Sequence, residues 1–513
     1  MWKIIPVFLL LELCCAGCFT RPVENYRNLA DFKENFPKLD IAELSKKKVL
    51  TLRDAQKTAI ANNPDYIAAY HAVSVAKFRY YRSLSAYLPT VDLNMSVGQS
   101  LENSRDLRNP PEGVVPRENH FSTDIGLRAS YLIFDGLARE FAALIAQKEY
   151  KKSVAEDENI KRLLIRGVAY AYYDAILARE AERIAEADLA FQTSSLLQAE
   201  TRYKYGNVSK ASVLNFKILA NAARSSILNA RYRGEVARFA LTALMGYPTL
   251  DFPKELELTP LEIKPEELML DLDTYLDMAI ANRPDLRAAR FMLEIARCRT
   301  FSAYSGFLPV INAYLGLDFN TSASKYGAYR VHHSYYNNAG FSYGVTGEWN
   351  LFSGFSTYNL LRESRAMEQM TRFNLDSAFL SVMNEVKDAY ANYKNAREQV
   401  AIYREMMKWV FEQRQLVQVE YWGGRETITR LNGAQSDLVN AEGKLAIAAV
   451  ELNRAIAQLN AAVNVSFEDE LEHQYPQPGS GTPLDSLLNS LDRRFNAPVE
   501  PVPLKNPAVK GLD

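Results

Sequence analysis

The residues near the amino terminus whose types and spacing could support chemistry are Cys15-Ala16-Gly17-Cys18. A mostly apolar run over residues 4–13 precedes them, too short for a transmembrane helix but typical of a signal peptide. Two small residues directly before a cysteine are what a bacterial lipoprotein processing site needs. We therefore predict a signal peptide over residues 1–17, lipid on Cys18 and a lipidated amino-terminal segment over 18–50. The alternative is an ordinary secretory signal with incidental cysteines.

Other residue patterns that could support catalysis or metal binding are missing from the sequence. It has no phosphate-binding loop, zinc-spaced Cys/His set or nucleophile elbow. His332 and His333 are predicted to lie in a loop between strands and to be solvated rather than metal-bound, and Glu156 and Glu158 are interpreted as a solvated helix face. The net charge of −1 gives no basic surplus for nucleic acid. The sequence therefore predicts no enzyme, no cofactor, no metal site and no nucleic-acid partner.

An internal duplication organises the chain. The segment around Pro64 recurs around Pro284, a shift of 220 residues (284 − 64 = 220). The matching landmarks are Ala59–Asp65 with Ala279–Asp285, Ser85–Pro89 with Ser305–Pro309, and Phe134–Gly136 with Phe352–Gly354. Their common order predicts two tandem repeats over residues 51–260 and 261–466. A Pro-rich tail, predicted to be disordered, follows over 467–513.

Each repeat contains a pair of segments in which apolar and polar residues alternate. They predict strands over 91–103, 121–134, 310–322 and 339–352, as hairpins 91–134 and 310–352. Each strand is long enough to cross a bilayer, and its polar face suits a wet lumen. A half-buried strand in a soluble sandwich also alternates, but a sandwich would not place its only strands between very long helices.

Helical periodicity follows each hairpin over a long stretch that contains no proline. Its Ala-rich, mostly polar pattern predicts helices that pack side by side as coiled coils. The helices reverse at Tyr205-Gly206-Asn207 and at Gly423-Gly424-Arg425. Four strands cannot close a membrane barrel, since the smallest usual barrel has eight, so copies of the chain must pool their strands. The predicted fold is mainly α with a membrane β-barrel: a coiled-coil tunnel plus four transmembrane strands per chain.

The repeated Asn-x-Pro-Asp and Leu-Pro landmarks, the Phe-x-Gly after each hairpin and the Tyr-Gly turn resemble the TolC-type outer membrane efflux family over roughly residues 50–465. The resemblance implies a homotrimer with a twelve-stranded barrel in the outer membrane and a helical tunnel in the periplasm. It also implies two partners, a membrane-fusion adaptor and an inner-membrane pump. The lipidated amino terminus resembles the lipoprotein branch that serves drug pumps. The turns at Tyr205, Gly206 and Asn207 and at Gly423, Gly424 and Arg425 become predicted adaptor-docking tips; the alternative is that these glycines serve only the turn.

The resemblance also bears on closure of the tunnel. The family's helix after the second tip often reads Val-Leu-Asp-Ala-Gln, where this sequence has Leu431-Asn432-Gly433-Ala434-Gln435. Gly433 thus stands at the acidic position, and Arg430 stands where the TolC protein has another acidic residue. We predict a possible periplasmic gate in which three copies of Arg430 face the axis, each held by Glu426. In the alternative, Arg430 faces outward and bonds an adjacent helix.

Three functions fit these features. The favoured one is a passive outer-membrane conduit for substrates that a partner pump drives. The second is the same architecture exporting polypeptides, as in a type I-like secretion channel. The third is a periplasmic coiled-coil lipoprotein that spaces the envelope layers, which the alternating strands argue against because a spacer needs no barrel.

Overall fold

The computed structural model describes residues 49–103, 117–247, 252, 256–261, 270–326 and 332–464. The predicted signal peptide, Cys18, nearly all of the 18–50 segment and the tail at 467–513 lie outside these residues. Within them the fold is mainly helical and consists of two tandem copies, each with one β-hairpin. This confirms the predicted fold class.

The elements follow the same order in both copies, two shorter helices, a hairpin and two long helices. In the first copy they are α1 Leu52–Asn62, α2 Pro64–Leu84, β2 Thr90–Asn103, β3 Arg117–Phe134, α3 Ala138–Lys204 and α4 Lys210–Leu244. In the second they are α5 Leu272–Asn282, α6 Pro284–Ser302, β5 Val310–Tyr326, β6 His332–Glu348, α7 Ser356–Trp422 and α8 Ile428–Val463. The short strands β1 Val49–Leu50 and β4 Glu257–Leu258 pair in parallel. None of the described helices is apolar enough over a sufficient length to span a membrane.

The break between α1 and α2 shows why the repeated Asn-x-Pro-Asp segment ends one helix and begins another. Pro64 occupies the first position of α2, where its missing N–H costs no helical hydrogen bond. Asn63 accepts from the Tyr66 N–H at 3.1 Å and donates to the Leu244 carbonyl at 3.0 Å. A Cβ on Gly246, which has a φ of 76°, would lie 2.3 Å from the Asn62 carbonyl oxygen, so only glycine fits there.

The two hairpins join into one antiparallel sheet of order β2-β3-β5-β6. The sheet extends further at the hairpin ends than the alternation indicated, because β5 and β6 pair out to Tyr326 and His332. The prediction that His332 and His333 lie in a loop was therefore wrong, since both residues belong to β6. Backbone ladder bonds extend a strand whatever the side chains, so two adjacent histidines interrupt the pattern without ending the strand.

The described residues form two compact units, each with its own core. The first comprises residues 49–68, 160–281 and 384–464, and its largest apolar cluster includes Leu50, Tyr172 and Leu241. The Tyr172 hydroxyl donates to the Leu50 carbonyl at 2.8 Å. The second comprises 69–159 and 282–383, contains the whole four-stranded sheet and buries Tyr80, Leu84 and Ala143 together.

Candidate functional site

The four-stranded sheet carries apolar side chains on one face and polar side chains on the other. Residue parity separates them, because successive side chains of a strand point to opposite faces. One apolar cross-strand row is Leu93, Leu127, Leu317 and Phe341. A neighbouring polar row is Asp92, Arg128, Gly316 and Ser342. Leu93 and Phe341 are 62% and 61% exposed in the single chain, so the apolar face is open and requires an apolar surrounding.

Contacts on the polar face link neighbouring strands. The Ser96 hydroxyl donates to Asp124 at 2.9 Å, and the Thr90 and Ser130 hydroxyls lie 2.7 Å apart. The Arg128 guanidinium lies 5.3 Å from the centre of the Tyr314 ring. This face can be solvated throughout, and such a surface conducts water and ions when it is enclosed.

The two helical turns are built alike. Gly206 and Gly424 have φ values of 74° and 76°, and each ends its helix with the paired backbone bonds of a Schellman motif. The returning helices are capped by Ser209 and Thr427, whose hydroxyls accept from N–H groups three residues later. The residues predicted as docking tips are exposed: Tyr205, Gly206, Asn207, Gly423, Gly424 and Arg425. A Cβ added at either αL glycine would meet nothing within 4 Å.

A cation–π contact joins the ends of α3 and α7 just before these turns. The Arg202 guanidinium lies 4.7 Å from the Trp422 ring centre and donates to the Trp422 carbonyl at 3.0 Å. Below it, Phe216 and Leu431 are fully buried in one apolar cluster that α4 and α8 contribute to. Each tip is therefore an exposed turn on a packed base.

The predicted gate residues lie at the start of α8. Arg430 is exposed, and its backbone N–H donates to the Thr427 hydroxyl at 3.3 Å. Glu426 accepts from the Thr427 backbone N–H at 3.3 Å. Gly433 is exposed, with open space where a side chain would project. Within a single chain the side chain of Arg430 and the backbone of Gly433 are thus accessible to a neighbour or to solvent.

A buried polar network one turn further along α8 was missed by the sequence reasoning. Gln435 is 4% exposed, donates to Asp188 of α3 at 2.9 Å and accepts from Arg414 of α7 at 3.0 Å. Arg414 stacks on Phe191 at 4.6 Å, and its burial lowers the pKa of the guanidinium. The available signal was Gln435 itself, a polar residue that follows the buried, apolar Leu431 and Ala434 on α8.

Metal-binding clusters are also missing from the described part of the chain, where no group of three or more His, Cys, Asp or Glu side chains could hold an ion. The polar face of the sheet and the two tips are the features that remain as candidate functional surfaces.

Comparison with known proteins points to one family. The family described as outer membrane efflux protein matches residues 56–247 and 275–465. The alkaline protease secretion protein AprF of Pseudomonas aeruginosa is 25% identical over 420 residues, 79% of this chain and 81% of that protein. The outer membrane protein TolC of Vibrio cholerae is 23% identical over 435 residues, 82% of this chain and 89% of its own length.

Solved structures share the fold. The outer-membrane channel OprN superposes with a TM-score of 0.69 at 19% identity, covering 85% of this chain and 94% of its own. The open state of the Neisseria gonorrhoeae MtrE outer membrane channel gives a TM-score of 0.64 at 21% identity, covering 80% and 88%.

Proposed function

This chain belongs to the outer membrane efflux protein family, and on that premise we propose that three copies close one β-barrel in the outer membrane and continue as a helical tunnel in the periplasm. As a member of the family the chain is an outer-membrane channel component, a passive conduit and not an enzyme. Such channels work in tripartite systems, so its partners are a periplasmic membrane-fusion adaptor and an inner-membrane pump.

The edges of the sheet support the assembly of several copies. Among the described residues β2 pairs with β3 alone and β6 with β5 alone, so both outer edges carry unpaired backbone groups. Each such group costs several kcal/mol in lipid. Two copies would give eight strands, whose interior fills with side chains, whereas three would give twelve and leave room for water.

Two of the long helices, α4 and α7, support it too, because each carries an exposed apolar row opposite its buried one. On α4, Val213, Phe216 and Ile227 are buried. Leu214, Ile218, Leu228, Tyr232 and Phe239 follow heptad spacing on the other side and are 47–67% exposed. On α7, Ile402, Trp409 and Leu416 recur every seven residues and are 60–67% exposed. We define these two rows as the α4 seam and the α7 seam, and we propose that they pack against helices of neighbouring copies.

One observation supports the channel function most directly, namely a sheet with one apolar face, one polar face and two open edges. The test is single-channel recording of the purified full-length protein in a planar lipid bilayer. We expect discrete, long-lived conductance steps. If protein is incorporated in the bilayer and no conductance is recorded, the channel function is overturned, and the lipoprotein that spaces the envelope layers remains as the alternative.

Two cargo classes remain distinguishable by experiment. Small-molecule efflux is the first. Polypeptide export is the second, favoured by the relative named for alkaline protease secretion. Deletion of the gene should raise sensitivity to toxic small molecules in the first case, and should deplete specific polypeptides from the culture medium in the second.

We also propose that Cys18 is the mature amino terminus and carries lipid, which would aid sorting while the barrel supplies most of the anchoring. Ala16 and Gly17 before the cysteine support this. Mass spectrometry of the amino-terminal peptide should give a Cys18 residue with acyl chains. An unmodified Cys18, or cleavage at another residue, contradicts the proposal.

A further inference from the structure

An exposed cluster of aromatic and basic side chains lies where the sheet meets the helices of the second copy. We define it as the junction site by its residues Tyr304, Phe307, Trp349 and Arg365, which all belong to the second compact unit. Tyr304, Phe307 and Trp349 are 41%, 43% and 59% exposed, and Arg365 is exposed on α7. The rest of the single chain therefore leaves both the rings and the charge accessible.

Hydrogen bonds connect these residues into one continuous surface. The Trp349 indole N–H donates to the Phe307 carbonyl at 3.1 Å. Phe307 and Tyr304 belong to the 3₁₀ turn Ala303–Phe307, in which residues three apart lie on the same side. The Arg365 guanidinium donates to the Tyr304 hydroxyl at 2.6 Å. Trp349 directly follows β6 and continues its odd-numbered, apolar row, so the junction site opens on the apolar side of the sheet.

Arg365 also lies away from the α7 seam. Leu360 and Met367 are 51% and 43% exposed and continue that seam towards the start of α7, since both lie a multiple of seven residues before Ile402. At about 100° per residue, Arg365 is turned roughly 140° from Leu360 and roughly 160° from Met367. A neighbouring copy that packs on the seam therefore leaves Arg365 uncovered. Within the described part of the chain, Arg365 also has no carboxylate in salt-bridge contact.

The corresponding positions of the first copy differ in both burial and charge. Leu84 corresponds to Tyr304 before the hairpin (304 − 84 = 220), and Gln147 corresponds to Arg365 after it (365 − 147 = 218). Leu84 is 2% exposed and Gln147 is 9% exposed. The shared fold therefore does not require a phenol and a guanidinium at these two positions, and only the second copy carries them there, at its surface.

The chemistry of the junction site fits a phosphate group. Arg365 offers N–H donors in a fixed fork that matches phosphate oxygens. The Tyr304 oxygen accepts from Arg365, so the hydroxyl proton remains to donate to the same anion. A guanidinium without a carboxylate partner favours a ligand that carries net negative charge.

The depth of the site fits a phosphate that belongs to a lipid. Tryptophan favours the boundary between hydrocarbon and headgroups, and the headgroup region is roughly 5–8 Å thick on each side of a bilayer. One 3₁₀ turn, about 6 Å, separates Phe307 beside Trp349 from Tyr304 beside Arg365. With Trp349 at the boundary, the Arg365 guanidinium lies at the level of the headgroup phosphates.

We propose that the junction site binds the phosphate of an anionic phospholipid in the periplasmic leaflet of the outer membrane, one lipid per chain. The proposal rests on the proposed function, in which the apolar face of the sheet lies in lipid. Each bound lipid would hold the sheet at a fixed depth in the membrane.

The test measures how phospholipids with brominated chains quench the fluorescence of Trp349 in the full-length protein, reconstituted in lipid vesicles. Trp349→Phe gives the background from the other tryptophans. Brominated phosphatidylglycerol is compared with brominated phosphatidylcholine, which has a phosphate but no net charge. We expect phosphatidylglycerol to bind beside Trp349 roughly five-fold more strongly, since one arginine near the surface contributes about that factor.

Two variants of α7 separate the junction site from general attraction between the protein and the membrane. Arg365→Gln introduces the residue that the first copy has at this position, and the preference for phosphatidylglycerol should fall close to one. Arg372→Gln is the matched control, because Arg372 is exposed on nearly the same face of α7, about 10 Å further from the sheet. This variant should keep the preference of the parent. Inorganic phosphate at matched ionic strength should leave the quenching unchanged.

Four results would overturn the lipid site. They are a parent without preference, an Arg365→Gln variant that keeps the preference, equal losses in Arg365→Gln and Arg372→Gln, and displacement of the lipid by inorganic phosphate. A parent whose Trp349 is quenched by neither brominated lipid would instead contradict the placement of the apolar face in lipid, and with it the proposed function.

Discussion

Leu127 and Ser96 lie on opposite faces of one sheet, so the same charge should have opposite consequences at the two positions. Leu127 pairs with Leu93 and Leu317 in the apolar row, whereas the Ser96 hydroxyl donates to Asp124. In a lipid-facing position near the midplane an arginine costs about 2–4 kcal/mol. We expect Leu127→Arg to lower unfolding stability by that order, and Ser96→Arg to be tolerated because Asp124 can accept from it. Urea unfolding of the folded protein in lipid vesicles measures both. Equal stability of the two variants would contradict the assignment of the faces.

Arg430 is the residue whose orientation in the assembly decides its role. Its side chain is exposed in the single chain, and three copies near an axis would repel cations. We expect Arg430→Ala to raise the preference of the channel for cations, and Arg430→Asp to raise it further. Single-channel reversal potentials in a salt gradient measure this. Unchanged conductance and ion preference in both variants would place Arg430 on the outward face, against an adjacent helix.

For single residues, the sequence predicts the face of the sheet on which a side chain lies better than the residue that the side chain contacts. Period-two alternation is enough to place Leu127 and Leu315 on one face of the sheet and Ser96 and Thr346 on the other, because parity is a local property. The Gln435–Asp188 hydrogen bond joins residues 247 positions apart. No local pattern specifies such a contact, since it depends on which helices become neighbours.

The helix and strand ends differ in how far the sequence could predict them. Proline at the first position of α2 and of α6, and glycine after α3 and α7, mark the helix ends, because each residue has a backbone requirement of its own. The outer ends of β5 and β6 carry no such marker, so the strand at His332 was missed. The joining of β3 to β5 was also beyond local reasoning, since it pairs strands from different repeats.

The αL glycines of the tips allow turn geometry and docking to be tested separately. A β-branched residue at φ 74° costs about 1–2 kcal/mol, while space for its side chain is open at Gly206. We expect Gly206→Val and Gly424→Val to abolish transport while trimers remain in the membrane. Asparagine tolerates the αL conformation, so Gly206→Asn keeps the turn and adds only a side chain. If Gly206→Asn loses transport, the added side chain interferes with a contact to the adaptor. If both valine variants export normally, the adaptor docks at another part of the chain.

At the scale of the whole molecule, the described parts of the two repeats contribute four strands to the hairpin sheet, leave two edges of that sheet open and carry exposed apolar rows along α4 and α7. Duplication alone does not close such a sheet, because the outer edges of β2 and β6 remain without a partner strand in the described part of the chain. The number of copies that closes the sheet is a property of the assembly. From the sequence of one chain, that number is predicted only through the family resemblance.

Disruption of the α4 seam should therefore prevent assembly without unfolding the chain. Leu228 is 66% exposed in the single chain, so Leu228→Asp leaves the buried row of α4 intact but would bury a charge between copies. Ser226→Asp places the same charge on an exposed site of α4 outside the seam and is the matched control. We expect native mass spectrometry in mild detergent to give trimers for the parent and for Ser226→Asp, and monomers with reduced β content for Leu228→Asp. A parent monomer with its full β content by circular dichroism would contradict the closure argument, because four strands with two lipid-exposed edges would then be stable alone.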